Sequence, residues 1–92
     1  MKIMLENVVT RNEEIAFGMM DGEVVMMNVE IGNYYNLGKT GSDIWNMIDH
    51  PITVEAIIHE LLEKYRVSRE QCESEVVGFL NQLYHEGLIK VK

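Results

Sequence analysis

The dipeptide Asp21-Gly22 restricts the fold more than any other feature, because it stands between two apolar runs of similar length. Asp-Gly accepts the positive φ angles of a two-residue turn, so Glu14 to Val29 is predicted to form a β-hairpin. The turn also sets which residues face each other across the two strands: Met20 and Glu23, Met19 and Val24, Phe17 and Met26, Ile15 and Asn28.

Both faces of this hairpin are apolar, which is unusual for an antiparallel sheet with one side in water. Alternation puts Ile15, Phe17, Met19, Val24 and Met26 on one face, and Ala16, Gly18, Met20, Val25, Met27 and Val29 on the other. One face is expected to pack on helices. The other needs a cover, either the short apolar N-terminal arm, Lys2 to Val9, or another chain. We expect the arm to cover it.

The stretch from Gly32 to Ile48 begins as a strand and turns directly into a helix. Tyr34 to Leu37 is predicted to be the third strand, beside the hairpin, after a turn at Glu30 to Asn33. The helix Thr40 to Ile48 follows, and its first residue is predicted to cap it. In this order the third strand keeps one unpaired side, unless the N-terminal arm pairs there.

Two more helices complete the chain. The second is predicted at Thr53 to Tyr65, with its first residue as the N-cap. The third starts at Ser68, whose capping box is completed by Gln71, and it ends before Gly87, a residue suited to a left-handed C-cap. Leu88 to Val91 then forms a terminal extended segment.

These elements predict a single α+β domain, 1–92 with its core at about 14–89, built as a three-stranded antiparallel sheet followed by three helices. This order is typical of a winged helix-turn-helix. The net charge of −7 opposes binding to a nucleic-acid backbone. One cysteine, no signal-peptide pattern and no run of about 20 apolar residues are typical of a soluble cytoplasmic protein without a membrane partner.

Residues capable of catalysis or metal binding are present, but their spacing does not predict a catalytic or metal site. His50, His59 and His85 lie far apart, and none stands at a metal-ligand spacing from a cysteine. His59 and Glu63 share a helix face, where a solvated surface pair is the expected arrangement. Cys72 lies on an apolar stripe and is expected to be a buried, inert thiol. We therefore expect no catalytic residues, no metal and no cofactor.

A set of motifs in fixed order identifies a family resemblance. The set comprises the Asp-Gly hairpin, the pattern Tyr34, Tyr35, Leu37, Gly41, Ile44 and Trp45, the helix start Thr53-Val54-Glu55, the link Tyr65-Arg66-Val67, and Leu83 with Gly87-Leu88-Ile89. Over about Glu14 to Ile89, the chain resembles the PqqD-like domains, also called RiPP recognition elements, and most closely the small stand-alone versions of lasso-peptide pathways. One departure is Gly38, where the family usually has a capping Asn or Asp; the cap is expected to pass to Thr40 or to the backbone.

The resemblance implies binding rather than catalysis. Such domains hold the leader segment of a ribosomally made precursor peptide as a strand added to the third strand, beside the third helix. They present it to a processing cysteine protease, with a cyclase as a further candidate partner. The implied peptide-binding residues are Asn33, Tyr34, Tyr35, Asn36, Leu37, Val76, Val77, Leu80 and Tyr84.

Two alternatives stay open at this point. A winged-helix DNA-binding regulator would need basic or amide side chains on the third helix, which instead offers Glu73, Glu75 and Glu86 beside Asn81 and Gln82. A homodimer formed through the doubly apolar hairpin is compatible with peptide binding.

Overall fold

The structure is a computed structural model that describes residues 2–28 and 33–92, and of residues 28, 33 and 35 the backbone only. Its elements are, in chain order, β1 (Val8–Arg11), β2 (Phe17–Met20), β3 (Glu23–Asn28), β4 (Asn33–Asn36), α1 (Gly38–Met47), β5 (Ile52–Thr53), α2 (Val54–Lys64), α3 (Arg69–His85) and β6 (Ile89–Val91). Residues 29–32, which include Val29 and most of the predicted turn at Glu30 to Asn33, lie outside the described residues.

The turn between β2 and β3 forms as predicted. Asp21 has a φ of 54° and Gly22 a φ of 81°, the left-handed values that a two-residue hairpin turn requires. The paired residues are Met20 and Glu23, Met19 and Val24, Gly18 and Val25, Phe17 and Met26, which confirms the register. The ladder ends before Ile15, whose N–H donates to the Asn12 carbonyl, so the pair predicted with Asn28 is not part of it.

β4 lies at the edge of a sheet with the order β2-β3-β4, which confirms the predicted meander. The N–H of Leu37 donates to the Val24 carbonyl at 2.9 Å, and this bond fixes the alternation along the strand. The peptide groups of residues 33, 35 and 37 point towards β3, so those of Tyr34 and Asn36 point to the outer edge. Within the described residues, β3 is the strand that pairs with β4.

The N-terminal arm does not cover the hairpin, and that prediction is wrong. β1 instead pairs antiparallel with both β5 and β6 in a second sheet, of order β5-β1-β6. Val9 is wholly buried there and Ile3 reaches the core. The arm goes to this sheet because the extended segments before α2 and after α3 offer it main-chain partners on both sides.

The predicted caps of the later helices are confirmed. The Thr53 hydroxyl accepts a hydrogen bond from the N–H three residues on, at 3.1 Å, and Ser68 does the same at the start of α3. Gln71 does not return to the Ser68 backbone, because its side chain donates to Glu75, so only half of the capping box forms. Gly87 has a φ of 76°, as expected of a residue that ends a helix.

One core joins the helices to the inner face of β2-β3-β4. Its wholly or almost wholly buried side chains include Val24, Met26, Ile44, Trp45, Ile48, Ile57, Ile58, Leu61, Val76, Leu80 and Leu83. The α+β class, the antiparallel three-stranded sheet and the three helices agree with the sequence prediction; the second sheet was not predicted. In the described part of the chain, no helix has the length and apolar character needed to cross a bilayer.

Candidate functional site

The junction between β4 and α1 is capped from the strand. The Asn36 side-chain oxygen accepts a hydrogen bond from the N–H of Gly38 at 2.7 Å. Gly38 has a φ of 77°, which a residue with a side chain would adopt only with strain. Thr40 lies inside the helix and is not its cap, so the first of the two predicted alternatives is wrong. The N-cap residue Leu37 makes no side-chain cap bond, which leaves the backbone alternative, and Asn36 bonds to the first helical residue from the strand side.

Ser42 connects β3 to α1 at the same junction by two hydrogen bonds. Its hydroxyl accepts from the N–H of Val24 at 2.8 Å and donates to the carbonyl of Gly38, and the side chain is buried. Val24 needs this acceptor because its N–H points to the side of β3 where β4 has already ended. Sequence reasoning missed Ser42, since a serine early in a helix gives no local sign of a distant strand partner.

Replacing Ser42 by alanine is expected to lower the free energy of unfolding by about 1–3 kcal/mol, because the buried Val24 N–H would lose the hydroxyl that accepts its hydrogen bond. Urea unfolding followed by circular dichroism measures the change. Ser74→Ala on the exposed side of α3 is the matched control and should shift stability by less than about 0.5 kcal/mol. Equal effects of the two substitutions would contradict the role given to Ser42.

A mostly apolar cavity of about 250 Å³ lies between the three helices. Gly41 and Ile44 of α1, Tyr65 after α2, and Cys72 and Phe79 of α3 are among the residues that line it. A Cβ atom at Gly41 would lie 3.1 Å from both Leu37 Cβ and Phe79 Cζ. The absence of a side chain at Gly41 therefore lets Phe79 pack close to Leu37, the residue that follows β4.

Polar side chains at the edge of this cavity connect α1 to the end of α2 by hydrogen bonds. Asp43 accepts hydrogen bonds from the Tyr65 hydroxyl and, at 3.0 Å, from Lys64. Burial disfavours the charged form of Asp43, but these hydrogen bonds outweigh that penalty, so its pKa lies below the usual value. The bond to Asp43 raises the pKa of Tyr65, and burial raises the pKa of the Cys72 thiol, as expected of an inert cysteine.

Asp43→Asn is expected to destabilise the protein at pH 7 by roughly 1–2 kcal/mol, because it removes a charge-assisted pair. Because the pKa of Asp43 is lower in the folded state, its stabilisation is present above the unfolded value of about 3.9 and is lost as the pH falls through the folded value. Urea unfolding should therefore show a smaller difference at about pH 3 than at pH 7. A difference that persists at low pH, or one matched by the exposed control Glu60→Gln, would contradict this assignment.

The α3 residues predicted to line the groove do not share one environment. Leu80 is wholly buried in the core, whereas Val76, also buried, lines the cavity between the helices. Val77 faces the other way, into a depression of about 940 Å³ shared with Ile3 and Met4 of the N-terminal arm. Tyr84 stands two helical turns beyond Val77, on the same flank. The grouping of these four residues with Tyr34 in a peptide site stays a prediction.

Phe79 is the α3 residue that approaches Gly41 beside Leu37, and it also packs against the core. A helical wheel puts Phe79 and Val77 on opposite flanks of the apolar stripe. It cannot say which flank faces the sheet, because that depends on how α3 packs against α1. Of the predicted residues on β4, Tyr34 is 66% exposed and Leu37 packs against the core, while the side chains of Asn33 and Tyr35 lie outside the described part.

The histidines form no metal centre in the described part of the chain, where no group of three or more His, Cys, Asp or Glu side chains could hold a metal ion. His59 and Glu63 make the exposed surface pair that was predicted, at 3.1 Å. His50 contacts its neighbour Asp49 at 2.6 Å, also in an exposed position.

This α+β domain, with β4 at the edge of its sheet, has a solved counterpart. TbiB1, determined in complex with the TbiA(beta) leader peptide, superposes on this chain with a TM-score of 0.77 and 26% sequence identity. The match covers 88% of this chain and 94% of TbiB1. A comparison with curated protein sequences found no match.

A family model gives the same result from the sequence side. The model described as Coenzyme PQQ synthesis protein D (PqqD) matches residues 23–89, which is most of the chain. The protein belongs to the PqqD family, and it is a PqqD-like RiPP recognition element. The resemblance inferred from the sequence motifs is thereby confirmed.

Proposed function

We propose that this protein binds the leader segment of a ribosomally made precursor peptide, which adds as an antiparallel strand to the outer edge of β4. The observation that carries the proposal is the edge itself, where the peptide groups of Tyr34 and Asn36 point away from β3. TbiB1, the structural counterpart, was solved with a leader peptide, which supports the same class of ligand here.

Main-chain hydrogen bonds alone would not select one peptide over another. Each contributes only about 0.5–1.5 kcal/mol and depends little on the side chains of the peptide. Side chains of an added strand alternate between the two faces of the sheet. Those on the inner face would point towards Leu37 and Phe79 and the cavity below them, and those on the outer face would lie beside Tyr34. We infer that an apolar leader residue occupies the inner position.

The bound precursor is then presented to its processing enzymes, in lasso-peptide pathways a cysteine protease and a cyclase. The family resemblance supports this role. The protein would contribute binding and positioning, and the chemistry would belong to the partner.

A titration of the ¹⁵N-labelled protein with a synthetic leader peptide tests the proposal. Amide signals of Tyr34, Asn36, Leu37, Gly41 and Phe79 should shift in a saturable manner, while signals on the opposite flank of α3 stay in place. Unchanged spectra with the cognate leader in excess would overturn leader binding. Shifts confined to the depression beside the N-terminal arm would overturn the assignment of the site to β4.

Phe79→Ala is expected to weaken leader binding by about tenfold, the equivalent of ~1.4 kcal/mol, since aromatic side chains in a partly buried pocket dominate such contacts. Val77→Ala is the matched control, a partly buried position on the other flank of the same helix. Isothermal titration calorimetry with both folded variants measures the difference. Equal affinities would mean that Phe79 does not contact the peptide.

The DNA-binding alternative gains no support from the structure. Arg69, at the start of α3, already pairs with Glu55 and, at 3.7 Å, with Glu73. Glu70 and Glu75 are also exposed on this helix, so its surface opposes a phosphate backbone. We expect the protein to cause no retardation of DNA in a gel-shift assay at low salt.

A further inference from the structure

The strand β2 forms a second open edge, on the side of the sheet opposite β4. The N–H of Met27 donates to the carbonyl of Ala16 at 3.2 Å, and in an antiparallel ladder hydrogen-bonded pairs alternate with pairs that are not hydrogen-bonded. The main-chain groups of Phe17 and Met19 therefore point away from β3. Within the described residues β2 pairs with β3 alone, so these outward groups have no strand beside them there.

The sequence of β2 does not protect this edge from pairing with another strand. Soluble proteins usually blunt an edge strand with a lysine, a proline, an inward charge or a bulge. β2 reads Phe-Gly-Met-Met, and its ladder with β3 is unbroken. Phe17 is 38% exposed and Met19 58% exposed, although both lie on the face that carries the buried side chains of Val24 and Met26. The core therefore leaves its own face of β2 partly uncovered.

A pocket of about 220 Å³ beside β2 contains an arginine with unused donors. The Arg11 guanidinium lies 4.8 Å from the ring centroid of Phe17 and 5.0 Å from that of Trp45, and its Nε donates to the Trp45 carbonyl at 2.9 Å. Its two terminal nitrogens make no hydrogen bond within the described part of the chain. Glu13 and Asp49 also line the pocket but form no ion pair with this guanidinium. A carboxylate brought in from outside would supply the missing acceptor.

We propose that two copies of the chain pair antiparallel through β2, about a two-fold axis that passes between their Gly18 residues. This register uses both outward residues of each strand, because it sets Phe17 of each copy opposite Met19 of the other, where their main-chain groups bond. Each phenyl ring then lies beside a thioether, a favourable contact, and both exposed side chains become covered.

The same register supplies the carboxylate. Continued by two residues, it sets Asp21 of each copy opposite Ile15 of the other, and Ile15 lines the pocket that contains Arg11. The Asp21 carboxylate is then the acceptor for the terminal nitrogens of Arg11, and the two-fold axis makes this contact twice. A second copy therefore matches the edge in its backbone, its apolar side chains and its charge.

The net charge of −7 on each chain does not prevent this pairing at physiological ionic strength. The Debye length there is about 8 Å, whereas each domain has a radius of gyration of 12.8 Å, so most of the charge of one copy is screened from the other. Pairing through β2 leaves the β4 edge of each copy free. The inference thus does not depend on the proposed function, and each copy could still hold its own leader peptide.

Sedimentation velocity of the full chain over a series of concentrations tests the pairing, with a monomer–dimer equilibrium as the expected result. Met19→Pro removes an N–H that points away from β3, so it should raise the dimer dissociation constant at least about tenfold without breaking the hairpin. Met19→Thr loses the same side chain but keeps the N–H, and it should weaken the dimer less. Circular dichroism checks that both variants fold.

Asp21→Asn tests the register. Asparagine also accepts the positive φ of this turn position, so the variant keeps the hairpin and loses only the charge. It should raise the dimer dissociation constant at least about fivefold. Glu23→Gln is the matched control, because it removes an acidic charge from the same hairpin one strand away from the shared edge. Its dimer should be as tight as the wild-type dimer or slightly tighter.

Hydrogen exchange of the wild type gives a readout that needs no variant. The amides of Phe17 and Met19 should exchange more slowly as the protein concentration rises, while those of Tyr34 and Asn36 stay unchanged.

A wild type that stays monomeric at every concentration would overturn the pairing, and so would a dimer that Met19→Pro does not weaken. Tighter association of Asp21→Asn would show that the hairpin tips repel each other and would overturn the register. Leader affinity of the Met19 variants, titrated separately, should stay within about twofold of the wild type, because β3 separates β2 from the β4 edge. Failure of the wild type to bind leader would instead overturn the proposed function and leave the pairing intact.

Discussion

Asn36→Pro is expected to abolish strand addition while the domain stays folded. Proline has no N–H, and the N–H of Asn36 is one of the groups that point to the outer edge of β4 rather than to β3. The substitution therefore removes a donor to the guest strand without removing a bond of the existing sheet. It also places a ring in the path of the peptide. We expect the affinity for the leader to fall by more than about tenfold.

The matched control is Asn36→Ala, because both substitutions lose the side-chain cap on Gly38 and only the proline loses the main-chain donor. Loss of the cap should cost about 0.5–2 kcal/mol of stability in each variant. Calorimetric titration with the leader, together with urea unfolding, separates the two effects. Leader affinity of the proline variant equal to that of the alanine variant would show that the peptide does not bond to this edge.

Leu80→Asp is expected to leave the protein unfolded. Leu80 is wholly buried in the core, so the substitution removes its packing and puts a carboxylate where no described partner can receive it. Loss of a buried leucine alone costs about 2–5 kcal/mol, a large part of the roughly 5–15 kcal/mol that stabilises a typical domain. Circular dichroism at 25 °C should show loss of the helical signal, and no leader binding should follow.

Tyr84→Asp on the same helix provides the comparison. Tyr84 is 39% exposed and lies on the flank of α3 that faces away from β4, so the variant should fold and bind the leader as the wild type does. A folded Leu80→Asp protein, or a Tyr84→Asp protein that folds but no longer binds, would contradict the division of α3 into a core face and a remote flank.

Local features of the chain could be predicted because their physical causes are local. The Asp21-Gly22 turn fixes both the hairpin and its register, and the side chains of Thr53 and Ser68 cap helices within three residues. The position of β4 at the sheet edge followed from chain order alone. These interactions depend on backbone angles and short hydrogen bonds, which neighbouring residues determine.

Long-range packing could not be predicted from the sequence in the same way. The apolar stripe of α3 predicted a buried face, but the choice between Phe79 and Val77 as the flank near β4 depends on the close contact at Gly41. The destination of the N-terminal arm depends on β6, at the far end of the chain. Ser42 acts on a strand that lies earlier in the sequence, so its helix gives no sign of the role.

The pairing of β1 with β6 has a consequence for the order of folding. The side chain of Asn7 donates to the carbonyl of Lys92, 85 positions away, and Val8 exchanges main-chain hydrogen bonds with the same residue. Closing so long a loop costs more chain entropy than closing the hairpin or docking neighbouring helices. We therefore expect the two ends to pair last, after the strand edge that would receive the leader has already formed.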